Sequence, residues 1–292
     1  MLQSKNANQE ITAVNEIRLH TYKTYIGIYI TLLLCCSAAL PANVYADKAQ
    51  WELGVGLTAM NIPLYPGSAE DKSYVFPIPH ILYRSERLEV DNGLEATFLK
   101  TQRTRLNISA DFGVPVNSRD SATRIGMPDL DLIIQIGPSL EITLAGGRFQ
   151  PSHFRLELPV RAAVATDFGS AEHVGWVFEP RFTYETRRPY KTGFAYLVSA
   201  GLRFSTQQLH EYYYDVKSEF ATAERPEYQS GAGYSGLFVD YIANWRTDNL
   251  IYFALLRYQN LSGAAYEDSP LVEEKDYVLV GVGVTWIFAR NL

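Results

Sequence analysis

The chain is poor in cysteine: its 292 residues include two, Cys35 and Cys36. Both lie in the apolar run 26–40, which follows Arg18, His20 and Lys23 and precedes Pro41 and Val44-Tyr45-Ala46. That order of charge, apolar stretch and small residues predicts an exported chain. Its signal peptide spans residues 1–46 and is cleaved between Ala46 and Asp47. The run is about 15 residues, short of the roughly 20 a spanning helix needs, so a retained anchor is the lesser alternative. Lipid attachment is disfavoured because Leu34 and Cys35 are too large to precede a modified cysteine. The mature chain, 47–292, then has no thiol, which excludes a disulfide and any cysteine metal site.

Excess positive charge is also missing. Losing Lys5, Glu10, Glu16, Arg18 and Lys23 with the leader takes 26 basic and 32 acidic residues to 23 and 30, a net charge of −7. No basic patch suggests nucleic acid or another polyanion. No second long apolar run, helical period, longer repeat or linker appears, so the mature chain reads as one domain.

What is present is alternation. Val278, Val280, Val282, Val284, Trp286 and Phe288 form an apolar row; Leu279, Gly281, Gly283, Thr285 and Ile287 form a smaller, partly polar one. A period of two over about ten residues suits a tilted strand with one face on lipid, whereas soluble strands run about 5–6. The terminal aromatics Trp286 and Phe288 resemble the insertion signal of bacterial outer-membrane barrels, although four residues follow Phe288. Similar rows run through 154–165 and 174–185, and segments recur at 51–57, 74–84, 94–98, 106–112, 194–204, 235–244 and 250–258. Pro77 and Pro79 are tolerable only at an edge or irregular position. Residues 131–137 and 140–146 are expected to form a hairpin around Gly137-Pro138-Ser139.

The fold expected is therefore all-β: a transmembrane antiparallel β-barrel of about twelve strands in the Gram-negative outer membrane, surrounded by lipid. With the N-terminus periplasmic, loops 59–73, 205–234 and 259–275 point outward and the turns 186–192 and 245–249 inward. The long segment 113–130 counts as periplasmic and breaks that pattern.

Several pieces occur in an order that resembles the MipA/OmpV family of outer-membrane proteins. They are Pro63-Leu64-Tyr65-Pro66-Gly67-Ser68, Pro77-Ile78-Pro79, Gly137-Pro138, Arg225-Pro226-Glu227-Tyr228 and Leu261-Ser262-Gly263-Ala264-Ala265 before Asp268-Ser269-Pro270-Leu271-Val272. The most specific is Arg124-Ile125-Gly126-Met127-Pro128-Asp129-Leu130-Asp131. The resemblance, over about 51–288, implies a non-enzymatic barrel without cofactor. It also implies scaffolding between murein hydrolase and murein synthase, or a porin-like or adhesive role; fold transfers better than function.

Each motif also has a plain structural reading. Tyr65-Pro66-Gly67-Ser68 suits a β-turn, and Arg225-Pro226 and Ser269-Pro270 can simply pin long loops. Asp129 and Asp131 offer too few oxygens for Ca²⁺, so pairing with an inward arginine is expected. Glu157, Arg161, Glu179, Arg181, Glu185 and Arg203 lie on polar rows and are expected to charge the lumen, as a salt-bridged plug or a narrow pore. In the 113–130 segment, Arg119, Asp120, Arg124, Ile125, Met127, Pro128, Asp129 and Leu130 form a candidate docking surface for a murein enzyme; capping the barrel is the alternative. His80, His153, His173 and His210 show no nucleophile motif, which disfavours a lipid-modifying enzyme without excluding a site assembled in space.

Overall fold

The computed structural model describes residues 50–291 apart from 85–88, 92–94, 102, 147–149, 151 and 187–191. The expected leader and its Ala46–Asp47 junction lie outside the described residues. No described helix is long and apolar enough to cross a membrane. One antiparallel sheet holds every strand. It begins with β1 (Gln50–Pro63), β2 (Asp71–Arg84), β3 (Glu89–Asp91), β4 (Glu95–Lys100) and β5 (Thr104–Gly113). It continues with β6 (Leu132–Ala145), β7 (Ser152–Thr166), β8 (Ala171–Phe178), β9 (Arg181–Thr186) and β10 (Gly193–Ser205), and ends with β11 (Gly233–Arg246), β12 (Leu250–Asn260) and β13 (Asp276–Asn291). Apart from β8 and β9, each strand pairs with its neighbours in sequence, and β13 pairs with β1 from Trp51↔Asn291 to Asn61↔Val280, which closes a barrel. Closure matters because an open edge in hydrocarbon leaves peptide groups unbonded.

Strands β8 and β9 are two halves of one stave. Both pair with β7 on one side and β10 on the other, and Glu179-Pro180 interrupts them. Thirteen segments less that one interruption give twelve staves among the described residues. The facing follows the alternation: Val278, Val280, Val282, Val284, Trp286 and Phe288 are exposed outward, while Gly281 and Ile287 are buried. A bilayer has to cover this outward surface, since exposed Val, Leu and aromatic rows of such extent are not stable in water.

Two expectations fail here, and they cancel. Residues 131–146 are not a hairpin. β6 runs straight through Gly137-Pro138-Ser139, which pair with Ser109, Ile108 and Asn107 of β5. Gly137 is there for closeness rather than turning: a Cβ would lie 2.0 Å from the Val160 carbonyl oxygen. The strand missed was β3, only three residues long. One strand too many and one too few preserve the count of twelve but invert the direction of everything between them. Residues 114–131 therefore emerge at the same end as 64–70, 206–232 and 261–275, opposite the chain termini. Val174 shares the sequence row of the outward Trp176 and Phe178 but is buried beside Ile133, Ala163, Val177 and Leu209. A register shift against β7 turns it inward, next to Gly175 at φ +133°. A Cβ on Gly175 would meet Thr206 Oγ1 at 2.4 Å, so a glycine lets the following loop close down on the wall.

Candidate functional site

Two constructions stand out: a charged network in the lumen and a packed cap over one end. The network starts at the terminal end. Arg155 pairs with Glu185 and, at 2.6 Å, with Glu157, which also takes Arg181 at 2.6 Å. Arg181 reaches Glu179 at 3.6 Å; Glu179 holds Arg161 at 3.2 Å and Arg203 at 3.5 Å. Both of these arginines lie 3.7 Å from Asp111. Four guanidinium groups and four carboxylates thus alternate along β5, β7, β8–β9 and β10. All six charges read from the sequence are in this chain of pairs. Asp111 and Arg155 complete it. They lie on the polar rows of their strands, so the same alternation test would have found them. Two further pairs were missed: Asp240–Arg257, with contacts of 2.6 and 2.9 Å, and Glu52–Arg246 beside His80. The first joins register partners of the β11–β12 hairpin; the second links β11 to β1, which only the closed barrel brings together.

These charges are not wet. Arg161, Glu157 and Glu179 are each 2% exposed and Glu52 is fully buried. Beside Asp240–Arg257 and Glu52–Arg246, the opposite wall also packs apolar side chains. The row of small residues on β13 receives the Phe253 ring, which lies 2.3 Å from where a Gly283 Cβ would be. Unpaired charge in such an interior would cost several kcal/mol, so the matching of signs is a condition for folding.

The cap is built by four connections. Leu64 and Tyr65, Val116, Met127 and Leu130, Tyr214 and Val216, and Leu261, Tyr266 and Leu271 form one buried cluster. Residues 206–232 carry a helix, α1 (Gln207–Tyr214), whose Tyr214 stacks on Tyr266 with centroids 3.7 Å apart. Each buried hydroxyl finds a partner, as burial requires. Tyr65 Oη donates to the Leu271 carbonyl, Tyr214 Oη to that of Pro66 and Tyr266 Oη to that of Ser235, each at 2.9 Å. Burial raises the pKa of Tyr65 and Tyr214 and pushes Tyr266 up to about 12, so all three remain neutral donors.

The candidate docking residues belong to this cap. Met127 and Leu130 are in its core, and Arg124 is 3% exposed, donating to the carbonyls of Tyr213 and Pro128. Arg225 pins the segment from across the cap, donating to Thr123, Ile125 and Phe220 carbonyls. Asp120 pairs with Lys72 at 2.7 Å, while the Arg119 amide only closes a turn on Asn117. Asp129 accepts from the Ser118 amide at 2.7 Å; the expected arginine partner for Asp129 and Asp131 is not found among the described residues. Pro128 contributes its carbonyl alone. Ile125, 61% exposed, is the large apolar member that faces outward, beside the exposed Arg119, Asp120, Pro128 and Asp129. No three described metal-binding side chains come together.

A serine–histidine contact does form, which local motifs could not show. His210 Nε2 lies 2.7 Å from Ser235 Oγ, and Nδ1 lies 2.6 Å from the Gly231 carbonyl oxygen. Burial lowers the His210 pKa, so Nδ1–H donates to Gly231 and neutral Nε2 accepts from Ser235. Both residues are buried under Tyr266, which serves cap packing.

A family model described as MltA-interacting protein MipA matches residues 55–288. The chain belongs to the MipA family. Among curated relatives, the family member is 26% identical over 283 residues to outer membrane protein OmpV of Vibrio cholerae serotype O1. It is 24% identical over 291 residues to outer membrane protein Omp26La of Vibrio anguillarum. Each match covers 90% of this chain and 99% of the relative. Among solved structures, the COG4313 outer membrane channel from Pseudomonas putida F1 aligns with TM-score 0.45 and 11% identity, over 86% of this chain and all of that one. LpxR from Salmonella typhimurium aligns with TM-score 0.39 and 10% identity, over 80% and 100%. The family and its curated relatives put this barrel in the outer membrane, in agreement with its lipid-facing rows.

Proposed function

We propose that this MipA family member is a non-enzymatic, non-conducting barrel that serves as an outer-membrane anchor for a partner. The observation that carries the proposal is the lumen: a conducting pore keeps its lining charges hydrated, whereas here Arg161, Glu157 and Glu179 are sealed in mutual contact. A cap of four connections then covers one mouth. The family name points to a murein hydrolase as the partner, with a murein synthase in the same assembly. With the termini periplasmic, such a partner meets the terminal-end turns and not residues 114–131. Folded protein in planar bilayers should show no stable unit conductance. A reproducible open channel would favour the porin reading, in which the paired charges line a narrow path. Capture of a murein hydrolase from envelope extract, lost on substituting the turn 247–249, would support the anchor directly.

A surface-contact role for the cap is the second reading, favoured by Ile125 standing exposed on a base pinned by Arg225. Ile125→Asp should abolish such contact and leave murein-enzyme capture intact.

A further inference from the structure

We propose that the lumen holds one blind pocket, open toward the chain termini and closed beneath the cap, which binds a neutral polyhydroxylated solute, a sugar. This goes beyond the anchor reading, which concerns conduction and a protein partner. A blind pocket does not conduct.

Burial in the lumen is one-sided. On β5 to β9 inward side chains such as Asn107, Gln135, Glu157, Arg161 and Thr183 are closed off, none more than 5% exposed. The inward row of β12 behaves differently. Ile251, Phe253, Leu255 and Arg257 are each only half-buried. The run ends at Gln259, which is buried and bonded by the Tyr277 hydroxyl. Side chains that point inward keep such surface only against open space. The Arg257 side chain retains 24% of its surface and that of Asp111 retains 31%. β5 and β12 stand six staves apart in the ring of twelve, so these two groups face each other from opposite walls. Above them Leu130, Tyr214 and Tyr266 of the cap core are buried, which closes that end. Ile251 follows the turn 247–249, so the row begins at the terminal mouth.

The groups around this space have bonding capacity left over. Asp111 Oδ1 accepts from the Phe112 amide at 2.9 Å. Its Oδ2 has guanidinium nitrogens of Arg161 and Arg203 at 3.7 Å, too far for hydrogen bonds. Arg257 donates to Asp240 through Nε and Nη2, and Nη1 makes no hydrogen bond among the described residues. Tyr213 hangs from α1, its Oη likewise without a hydrogen bond among the described residues. That hydroxyl lies 3.0 Å from where a Gly113 Cβ would be. Gly113 is the next inward position after Asp111, and its missing side chain leaves the hydroxyl its room. An acceptor, a donor and a hydroxyl therefore border one space.

Charge around it is already balanced. Arg161, Arg203 and Arg257 are matched by Asp111, Glu179 and Asp240. An ionic ligand would leave one charge unmatched in this interior, so the ligand is neutral. Phe253 and Leu255 add an apolar side to the same space. A sugar meets both demands: its hydroxyls serve the polar groups and its C–H faces the apolar ones.

Residues 47–292 contain no cysteine, which allows a direct test. Leu255→Cys (pocket) and Thr183→Cys (closed side) are purified in lauryldimethylamine oxide, a detergent without a sugar head. Each is treated with a methanethiosulfonate reagent carrying a trimethylammonium group. The thiol at 255 should react several-fold faster than the thiol at 183. Equal rates would overturn the pocket. Phe253→Cys supplies the same reading should Leu255→Cys not fold. Maltose should slow the reaction at 255 in a saturable way, whereas glycine and acetate should not. Protection by glycine or acetate, or by none of the three, would overturn the ligand class. Adding Tyr213→Phe should raise the half-protecting maltose concentration about fivefold, the loss expected for one modest hydrogen bond. An unchanged value would overturn the part given to Tyr213. Neither readout depends on conductance or partner capture.

Discussion

Val282 and Gly281 are neighbours that face different media. Val282 is 52% exposed on the lipid side, while a side chain on Gly281 would point at Met60 Cγ, 3.1 Å away. Val282→Arg should cost about 2–4 kcal/mol in folding into vesicles, the penalty for a cation near the bilayer midplane. Gly281→Ser should cost far less, because the flexible Met60 can yield; equal losses would mean the facing is wrong. His210 makes a second residue-scale prediction. Burial holds its folded pKa below the ordinary value, with Arg203 acting in the same direction and the Gly231 carbonyl opposing. The sign follows: the stability this provides is present above the unfolded pKa of about 6.5 and is lost as pH falls through the folded value. Protease sensitivity of residues 206–232 should therefore rise between pH 7.5 and pH 5. In His210→Gln it should vary little over that range. A wild-type cap equally resistant at both pH values would show that His210 does not titrate in the native state. Residue facing was legible in the sequence because a strand's period of two leaves no ambiguity once one row is apolar. The His210–Ser235 contact was not, since its partners lie 25 positions apart, one on the loop helix and the other on β11.

At the scale of elements, the staves and the connections obey different rules. Strands with a lipid face were visible wherever they ran ten residues or more. β3, three residues long, has too little alternation to register, and Gly137-Pro138-Ser139 imitates a turn although it lies within a strand. Glycine and proline together mark a turn in the open, but against a crowded β7 the same pair marks close approach. The inner rows also explain how the charged staves hold together. Glu179 is shared by Arg161, Arg181 and Arg203, so Glu179→Gln should leave three cations short of one anion. Removing one member of a buried pair typically costs about 3–5 kcal/mol. Urea titration in vesicles should show a loss of that order, and a change under 1 kcal/mol would mean that water already relieves the network. The cap depends on a different residue. Arg225→Ala removes the bonds to Thr123, Ile125 and Phe220 carbonyls and should speed proteolysis within 114–131 and 206–232, with heat-modifiable migration of the barrel unchanged.

For the whole molecule, the decisive quantity is which connections share an end, and this is set by the parity of the strand count. The sequence held enough to recognise a twelve-stave barrel and its membrane, yet one inverted stretch sent 113–130 to the wrong side. The structure returns the segment to the other long connections, through the Tyr65–Thr123 and Arg225–Ile125 bonds. The four longest connections then lie outside and the turns beneath are short, as bacterial barrels require, with 167–170 the one short outside connection among the described residues. A protease site inserted between Ile125 and Gly126 tests this arrangement most sharply. Gly126 has open space around it, with nothing within 4 Å of a Cβ, so the insertion leaves the cap core in place. Intact cells treated with protease should be cleaved there. A site in the short turn at Thr247-Asp248 should be protected until the outer membrane is breached. Protection at 125–126 together with cleavage at 247–248 would invert the barrel. It would also turn the cap toward the periplasm, where a murein enzyme could reach it.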